Sequence, residues 1–456
     1  MKSRTIRGGI VALSVALATV GLSACGGGTD SDGTTLRYWM WDSAQLPGYR
    51  QCASDFEAQN PDIHIQFEQY GWDDYWMQLT ASMVAENAPD VFVNHTSRFG
   101  SYVSLGQLLD MTPYVEADKY DLTQFEDGLA GQWTSESGDA RYGLPKDWDT
   151  VALFYNTQML AEAGFTVDDV WNLEWNPADG GTYEKFLAHM TVDKNGVRGD
   201  EPGFDKSQIA VYGLGYNEAG SGYGQVQWAP YALSNGEWRW TDKNPWGRVF
   251  NYNDPAFQES IIWWRSLIEK GYMPSLAIAS SGVGSLESLK SGAYASLVEG
   301  SWNLAGVATT TEIGLFNVFP TPIGPDGVRA SVQNGLADSI WGGTEHPDEA
   351  WAWVSDMGTS ACQDVIASKA VVFPAISSSS TIAAQAFEDL GYDADAFTVH
   401  ISDGTGVTSP VVDRWAQVEA IMNPAMSSVM SFVTEPSSLT EANNQVNTVM
   451  SRDRDD

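Results

Sequence analysis

Apolar and polar positions repeat on a plan that is clearest in the first third of the folded chain. Thr35-Leu36-Arg37-Tyr38-Trp39-Met40-Trp41 is rich in aromatic and alternating apolar residues, which predicts a first strand. Asp42-Ser43 is suited to cap the segment leading into a helix over about 49–59, and Asn60-Pro61-Asp62 ends that helix. Alternation over 63–70 predicts a second strand and helical spacing over 75–86 a second helix. Ala88-Pro89-Asp90 then turns into a buried strand, Val91-Phe92-Val93. The order β-α-β-α-β predicts an α/β layer in which helices cover a largely parallel sheet. Ligands of such sheets bind beyond the carboxyl ends of the strands, here Trp41-Asp42, Tyr70 to Asp73, and Asn94-His95.

A second pattern runs from Gly143 to Asn156. Val151 to Tyr155 is a short aliphatic and aromatic run that predicts a core strand, and Pro145 holds its approach extended as a tight turn. Asp147, Trp148 and Asp149 stand at the seam, two carboxylates around a large ring. Two readings stay open: the trio lines a cleft, or it is a solvated acidic loop with Trp148 packed inward.

The amino terminus follows another rule. Lys2, Arg4 and Arg7 precede an apolar run from Gly8 to Leu22 and then small residues, the pattern of a secretory signal over 1–24. Leu22-Ser23-Ala24-Cys25 resembles a bacterial lipobox, which implies cleavage before Cys25 and acylation of that cysteine; the competing reading is an uncleaved anchor. Residues 25–33 read as a flexible tether. Removing 1–24 leaves 21 basic against 59 acidic residues, a net charge of −38. Such a surface disfavours nucleic acid, anionic lipid headgroups and anionic ligands, and leaves a neutral or cationic partner; scattered acids also serve solubility. The remaining length suits two or three domains, interleaved in sequence because no low-complexity block separates them.

Once Cys25 is assigned to lipid, Cys52 and Cys362 form one candidate disulfide in an oxidising compartment, or two separate buried thiols. The five histidines, His64, His95, His189, His346 and His400, are too scattered for a zinc site. Asp193-Lys194-Asn195-Gly196 with Asp200 and Asp205 lacks the spacing of a calcium loop and reads as a polar turn. Neither a phosphate-binding glycine loop nor a nucleophile elbow is present, and no cofactor is implied.

Ala88-Pro89-Asp90-Val91, Arg98-Phe99, Leu108 to Thr112, Gly143-Leu144-Pro145 and Leu153 to Asn156 resemble the carbohydrate-binding, maltose-binding-protein-like group of extracellular solute-binding proteins of ABC transporters. Asn253-Asp254-Pro255, Glu269 to Pro274, Leu289 to Ala295, Gly300-Ser301-Trp302, Phe319 to Pro325, His346 to Trp353 and Thr359 to Gln363 extend the resemblance over most of the mature chain. The resemblance implies two α/β lobes of periplasmic-binding-protein-like fold, each a sheet flanked by helices, joined by hinge strands and closing over a sugar. It implies crossings at the Gly143–Asn156 stretch, at Pro320–Gly324 and at Val372-Phe373-Pro374. Residues 34–147 and 322–372 then make lobe one and 148–321 and 373–456 lobe two, with Cys52 and Cys362 in the same lobe.

A sugar has an apolar face that stacks on aromatic rings and a rim of hydroxyls that needs acceptors and donors. Of the 19 tryptophans, Trp41, Trp72, Trp148, Trp228, Trp302, Trp341 and Trp415 fall where the cleft is expected, whereas Trp263, Trp264, Trp351 and Trp353 sit in helical patterns that predict core. Carried over from the family, Trp302 and Asp149 are the leading ligand contacts. Asp147, Trp148, Trp41, Asp42 and Trp415 follow, then Asn94 and His95. The aromatic segment from Tyr212 to Trp246 reads as an elaboration of lobe two that shapes specificity, or as a structural hairpin. The implied protein is a monomeric, lipid-anchored receptor on the outer face of the bacterial cell membrane, binding a neutral oligosaccharide for an ABC permease without catalysis. A secreted glycoside hydrolase or lyase, which would use paired carboxylates across a glycosidic bond, and a surface glycan adhesin are the alternatives.

Overall fold

The computed structural model of the chain describes residues 33–217, 222–310, 312 and 314–452. The expected signal segment 1–24, the acylation site Cys25 and all of the tether but Gly33 lie outside the described residues. In chain order the strands are β1 (Thr34–Met40), β2 (Ile63–Gln69), β3 (Val91–His95), β4 (Leu144–Asp149), β5 (Val151–Asn156), β6 (Val192–Asp193), β7 (Ile209–Val211), β8 (Ser296–Gly300), β9 (Phe316–Phe319), β10 (Ser331–Ile340), β11 (Phe373–Pro374) and β12 (Gly406–Thr408). A larger sheet has the order β11-β4-β10-β3-β1-β2, with β12 alongside the start of β10, and a smaller one the order β8-β5-β9. They belong to the two lobes.

In the first lobe β1 lies between parallel β2 and β3, and β10 runs antiparallel to β3 and β4. The two-residue period of a strand puts Leu36, Tyr38 and Met40 on one face and Trp39 on the other. The first face packs on α1 (Leu46–Gln59), through Tyr49, Cys52 and Phe56, and on Trp353 of the helix Pro347–Met357. The second packs on α2 (Trp72–Val84), through Tyr75, Trp76 and Leu79, and on Phe99 and Tyr102 of α3 (Thr96–Ser104). The first strand and helices thus form where the alternation placed them. The second lobe buries its apolar residues between the small sheet and the helices Pro255–Lys270, Trp415–Met430 and Leu439–Met450, with Trp263 and Trp264 in that core.

Leu144–Asp149, expected as a turn, is a strand with all six residues buried. It pairs with β10 on one side and with β11 on the other. Pro145 is tolerated there because Pro145 stands opposite Ala337 and Asp147 opposite Leu336, so that Lys146 is the extra residue of a β-bulge and the regular ladder is already broken. The Pro320–Gly324 segment, expected to carry the chain back to the first lobe, stays with the second. Trp175 N–H donates to the Ile323 carbonyl, Ile323 N–H to the Leu173 carbonyl, and Gly324 N–H to the Val328 carbonyl. The return is made by β10, which starts beside Val151 and ends deep in the larger sheet. Asp193 closes a polar turn, its carboxylate accepting the N–H groups of Asn195, Val197 and Asp205.

A disulfide joins Cys52 of α1 to Cys362 of the helix Ser360–Ala367, closing a separation of 310 residues. Replacing both cysteines by serine is expected to lower unfolding free energy by about 2–4 kcal/mol, because a very long loop of the unfolded chain is released. Denaturant titration of the oxidised and serine forms checks this.

Candidate functional site

Thr150 is the single residue between β4 of one sheet and β5 of the other, and the groups around it come from both lobes. Ser301 Oγ, just beyond β8, donates to Asp149 Oδ1 at 2.6 Å. The next residue, Trp302, is half-buried and packs on the second-lobe core. Its ring folds back over Gly300 so closely that a Cβ there would collide with the six-membered ring, which explains the glycine before Ser-Trp. Beneath it Glu299 is buried and accepts from Asn217 Nδ2 (2.9 Å) and Gly300 N–H (2.8 Å), with burial pushing its carboxyl up despite those bonds.

Across the junction, the carboxyl ends of β1, β2 and β3 carry an aromatic group. The Trp41 ring lies 5.1 Å from Trp72 and 5.2 Å from Trp76, and Trp72 lies 5.5 Å from His95. Edge-to-face contacts of Trp72 with Trp41 and His95, and a tilted one between Trp41 and Trp76, fix the rings against one another. Trp41 and Trp72 stay half-exposed. His95 caps α3, its Nδ1 accepting from Ser97 N–H at 3.1 Å, so the imidazole carries its proton on Nε2. Burial, with Arg98 nearby, holds it neutral with a pKa of about 3. Asn94 is buried and donates to Ser339 Oγ at 3.1 Å.

Below these ends lies a set of buried charges. Lys146 Nζ donates to Gln45 Oε1 at 2.5 Å, sits 3.6 Å from the centre of the Tyr49 ring, and is 3.6 Å from Asp147 Oδ2. Lys146 and Gln45 are the neighbours of the Asp147 carboxylate, and neither makes a hydrogen bond of ordinary geometry to it. Burial raises the Asp147 carboxyl, opposed mainly by Lys146. Asp149 is raised further by burial and by Asp147. Asp338 accepts from Tyr38 Oη at 2.7 Å and is pushed up to about 6 by burial, against the pull of Lys146 and of that hydrogen bond.

Asp42, Asp147 and Asp149 therefore share one electrostatic cluster, Trp41 and His95 share one aromatic cluster, and Trp302 stands at the second-lobe side of the junction. Three rings placed in the cleft by sequence are in the core instead, among them Trp228, which packs on Trp238, Tyr252 and Phe257. Trp148 stacks on Phe373 at 4.6 Å and donates to Ser380 Oγ, and Trp415 packs on Tyr223 and Phe250. Trp148 lies on a strand whose six residues are all buried, and Trp415 lies on the core-facing side of its helix. Asp42 accepts from Ala44 N–H ahead of α1. Lys146, Glu299 and Asp338 escaped the sequence reading, since a lone charge in a strand gives no sign of burial. So did Asn334, which donates to Gln225 Oε1 at 2.6 Å and accepts from Tyr223.

The sequence profile of bacterial extracellular solute-binding proteins matches residues 51–390. The diacetylchitobiose binding protein of Streptomyces coelicolor is 31% identical over 187 residues, covering 36% of this chain and 41% of that protein. An arabinooligosaccharide-binding protein of Bacillus subtilis is 25% identical over 175 residues, 37% of this chain and 39% of that protein. The chain thus spans about two fifths of the length of these two relatives. Over nearly the whole fold, an ABC substrate-binding protein of Listeria monocytogenes in complex with cycloalternan superposes with a TM-score of 0.77 at 19% identity, covering 92% of this chain and 100% of that one. M. tuberculosis UspC superposes with a TM-score of 0.71 at 23% identity, covering 91% and 100%. At these identities the likeness is one of fold.

The folded chain holds a proton on Asp338 that the unfolded chain releases, so this group stabilises the fold most below about pH 4 and its contribution is lost as pH rises through about 6. Asp338→Asn is expected to gain on wild type by on the order of 3 kcal/mol between pH 4 and 7. Urea midpoints of the two proteins across that range check the difference curve.

Proposed function

The chain belongs to the bacterial extracellular solute-binding protein family, and on that premise we propose that it is the substrate-binding lipoprotein of an ABC importer, taking a neutral oligosaccharide between its lobes. The observation that carries this reading is the pairing of Asp149 and Ser301 across the junction beside the half-buried ring of Trp302. A carboxylate and a hydroxyl next to an aromatic ring match the hydroxyl rim and the apolar face of a sugar. Trp302 and Asp149 make the central contacts. Trp41, Asp42 and Asp147 complete the site from the first lobe, and Asn94, His95, Trp148 and Trp415 hold its frame.

The sugars in the names of the relatives support an oligosaccharide over other solutes. The acidic surface supports an uncharged one. The lipobox-like Leu22-Ser23-Ala24-Cys25 supports anchoring through Cys25 on the outer face of the cell membrane, where a monomer hands its cargo to a permease.

Calorimetry against neutral α- and β-linked oligosaccharides, with product analysis of every mixture, is expected to find one binding series and no shorter sugars. Accumulating products would overturn the reading in favour of a hydrolase or lyase. Trp302→Ala is expected to weaken that binding at least about tenfold while the thermal midpoint stays close to wild type.

A further inference from the structure

The aromatic-rich stretch after Tyr212 ends in a feature that the proposed ligand contacts do not include. Trp238, Trp240, Phe250 and Tyr252 are rooted in the second-lobe core, and Thr241 and Phe250 pair as the base of a hairpin. Asp242 braces the base, its Oδ1 accepting the N–H groups of Arg248 and Val249. The tip of this hairpin leaves its own lobe. Trp246 is 4% exposed and belongs to the aromatic core of the first lobe, with Phe99 of α3 at 6.1 Å and Trp133 beside it. Its Nε1 donates to the Thr134 carbonyl at 3.1 Å, so the indole is held by both its apolar body and its polar edge.

The tip also grips the segment that follows β12. Trp246 N–H donates to the Val411 carbonyl (2.7 Å), and Asn244 donates to the carbonyls of Thr408 and Ser409 while accepting from Val411 N–H. Around it the same two lobes meet through Thr96 and Ser409 (2.6 Å), Arg98 and Glu419 (3.1 Å), and Ser101 with the Asp413 carbonyl (2.9 Å). Gly100 lets α3 approach closely there, since a Cβ would collide with the Val412 carbonyl.

We infer that residues 241–250 form an interlobe strap in which Trp246, rooted in one lobe and plugged into the other, is the positioning residue that fixes the angle between the lobes. Rotation of the lobes carries the Phe99–Trp133 socket away from the hairpin base, so any change of angle must strain or withdraw the plug. The strap sets which lobe angle is populated before any ligand arrives, and a ligand acts against that preset balance. The inference rests on the two-lobed fold and not on the identity of the ligand.

The test needs no ligand. Val84 and Ile278, exposed on α2 and on the second-lobe helix Leu276–Ala279, are replaced by cysteine in the full chain and carry nitroxides, and the distance distribution between them is measured by pulsed electron resonance. Trp246→Ala is expected to shift or broaden the distribution beyond the spread of repeat measurements, and Trp246→Phe, which keeps an aromatic plug, to restore most of the parent distribution. A lowered melting temperature with a distribution that superimposes on the parent would overturn the inference, because it would make Trp246 a core residue only. If Trp246→Ala does not fold, the pair Lys243→Ala and Asn244→Ala, which removes the ion pair of Lys243 with Glu136 (3.3 Å) and the Asn244 bonds to residues 408–411 while leaving the indole in place, is expected to broaden the distribution, and an unchanged one overturns the inference equally.

Discussion

Buried peptide groups have to be hydrogen-bonded even where the chain leaves one sheet for another, and at this junction side-chain hydroxyls meet that requirement. Val151 N–H donates to Ser331 Oγ at 2.8 Å, and Ser331 Oγ lies 3.0 Å from the Val151 carbonyl. Ser301 N–H donates to the Thr150 carbonyl and Thr150 Oγ1 to the Phe397 carbonyl. Hydroxyls can rotate and exchange partners in a way that a ladder of backbone bonds cannot. The crossing is therefore satisfied in part by hydroxyls rather than by a continuous backbone ladder. Asp149 is attached to the same crossing through Ser301, so a ligand that engages this carboxylate acts directly on the joint.

The same economy accounts for the charges under the site. Three carboxyl groups and one lysine are buried together, and such groups are tolerated only when paired, hydrogen-bonded or protonated. Lys146 is held by Gln45 and the Tyr49 ring, Asp338 by Tyr38, and Asp149 by Ser301. Asp147 faces Lys146 and Gln45 without a hydrogen bond of ordinary geometry to either.

Much of the frame was legible in the sequence, because periodicity acts locally. The alternation over Thr35–Trp41 and the helical spacing of Trp263 and Trp264 both survive folding, as do the tryptophans of the helix Pro347–Met357. The sheet's departures from pattern were not legible. Pro145, Lys146 and the two aspartates argue against a strand when read alone, and only the bulge opposite Leu336 and Ala337 makes room for them. The position of β10 as the return crossing depends on long-range pairing that no local pattern records. Trp148 and Trp302 have the same chemistry in sequence. They part company in space because Phe373 covers one ring whereas the other lies over Gly300 at the rim.

In the proposed mode of binding both lobes contact one ligand at this junction, and hydrogen–deuterium exchange of the chain with and without a saturating oligosaccharide identified by calorimetry is the direct test. Slowed exchange is expected at the Trp41–Gln45 turn of the first lobe and, in the same complex, at Gly300–Asn303 of the second. Protection confined to one lobe, or lying away from the junction, would contradict it.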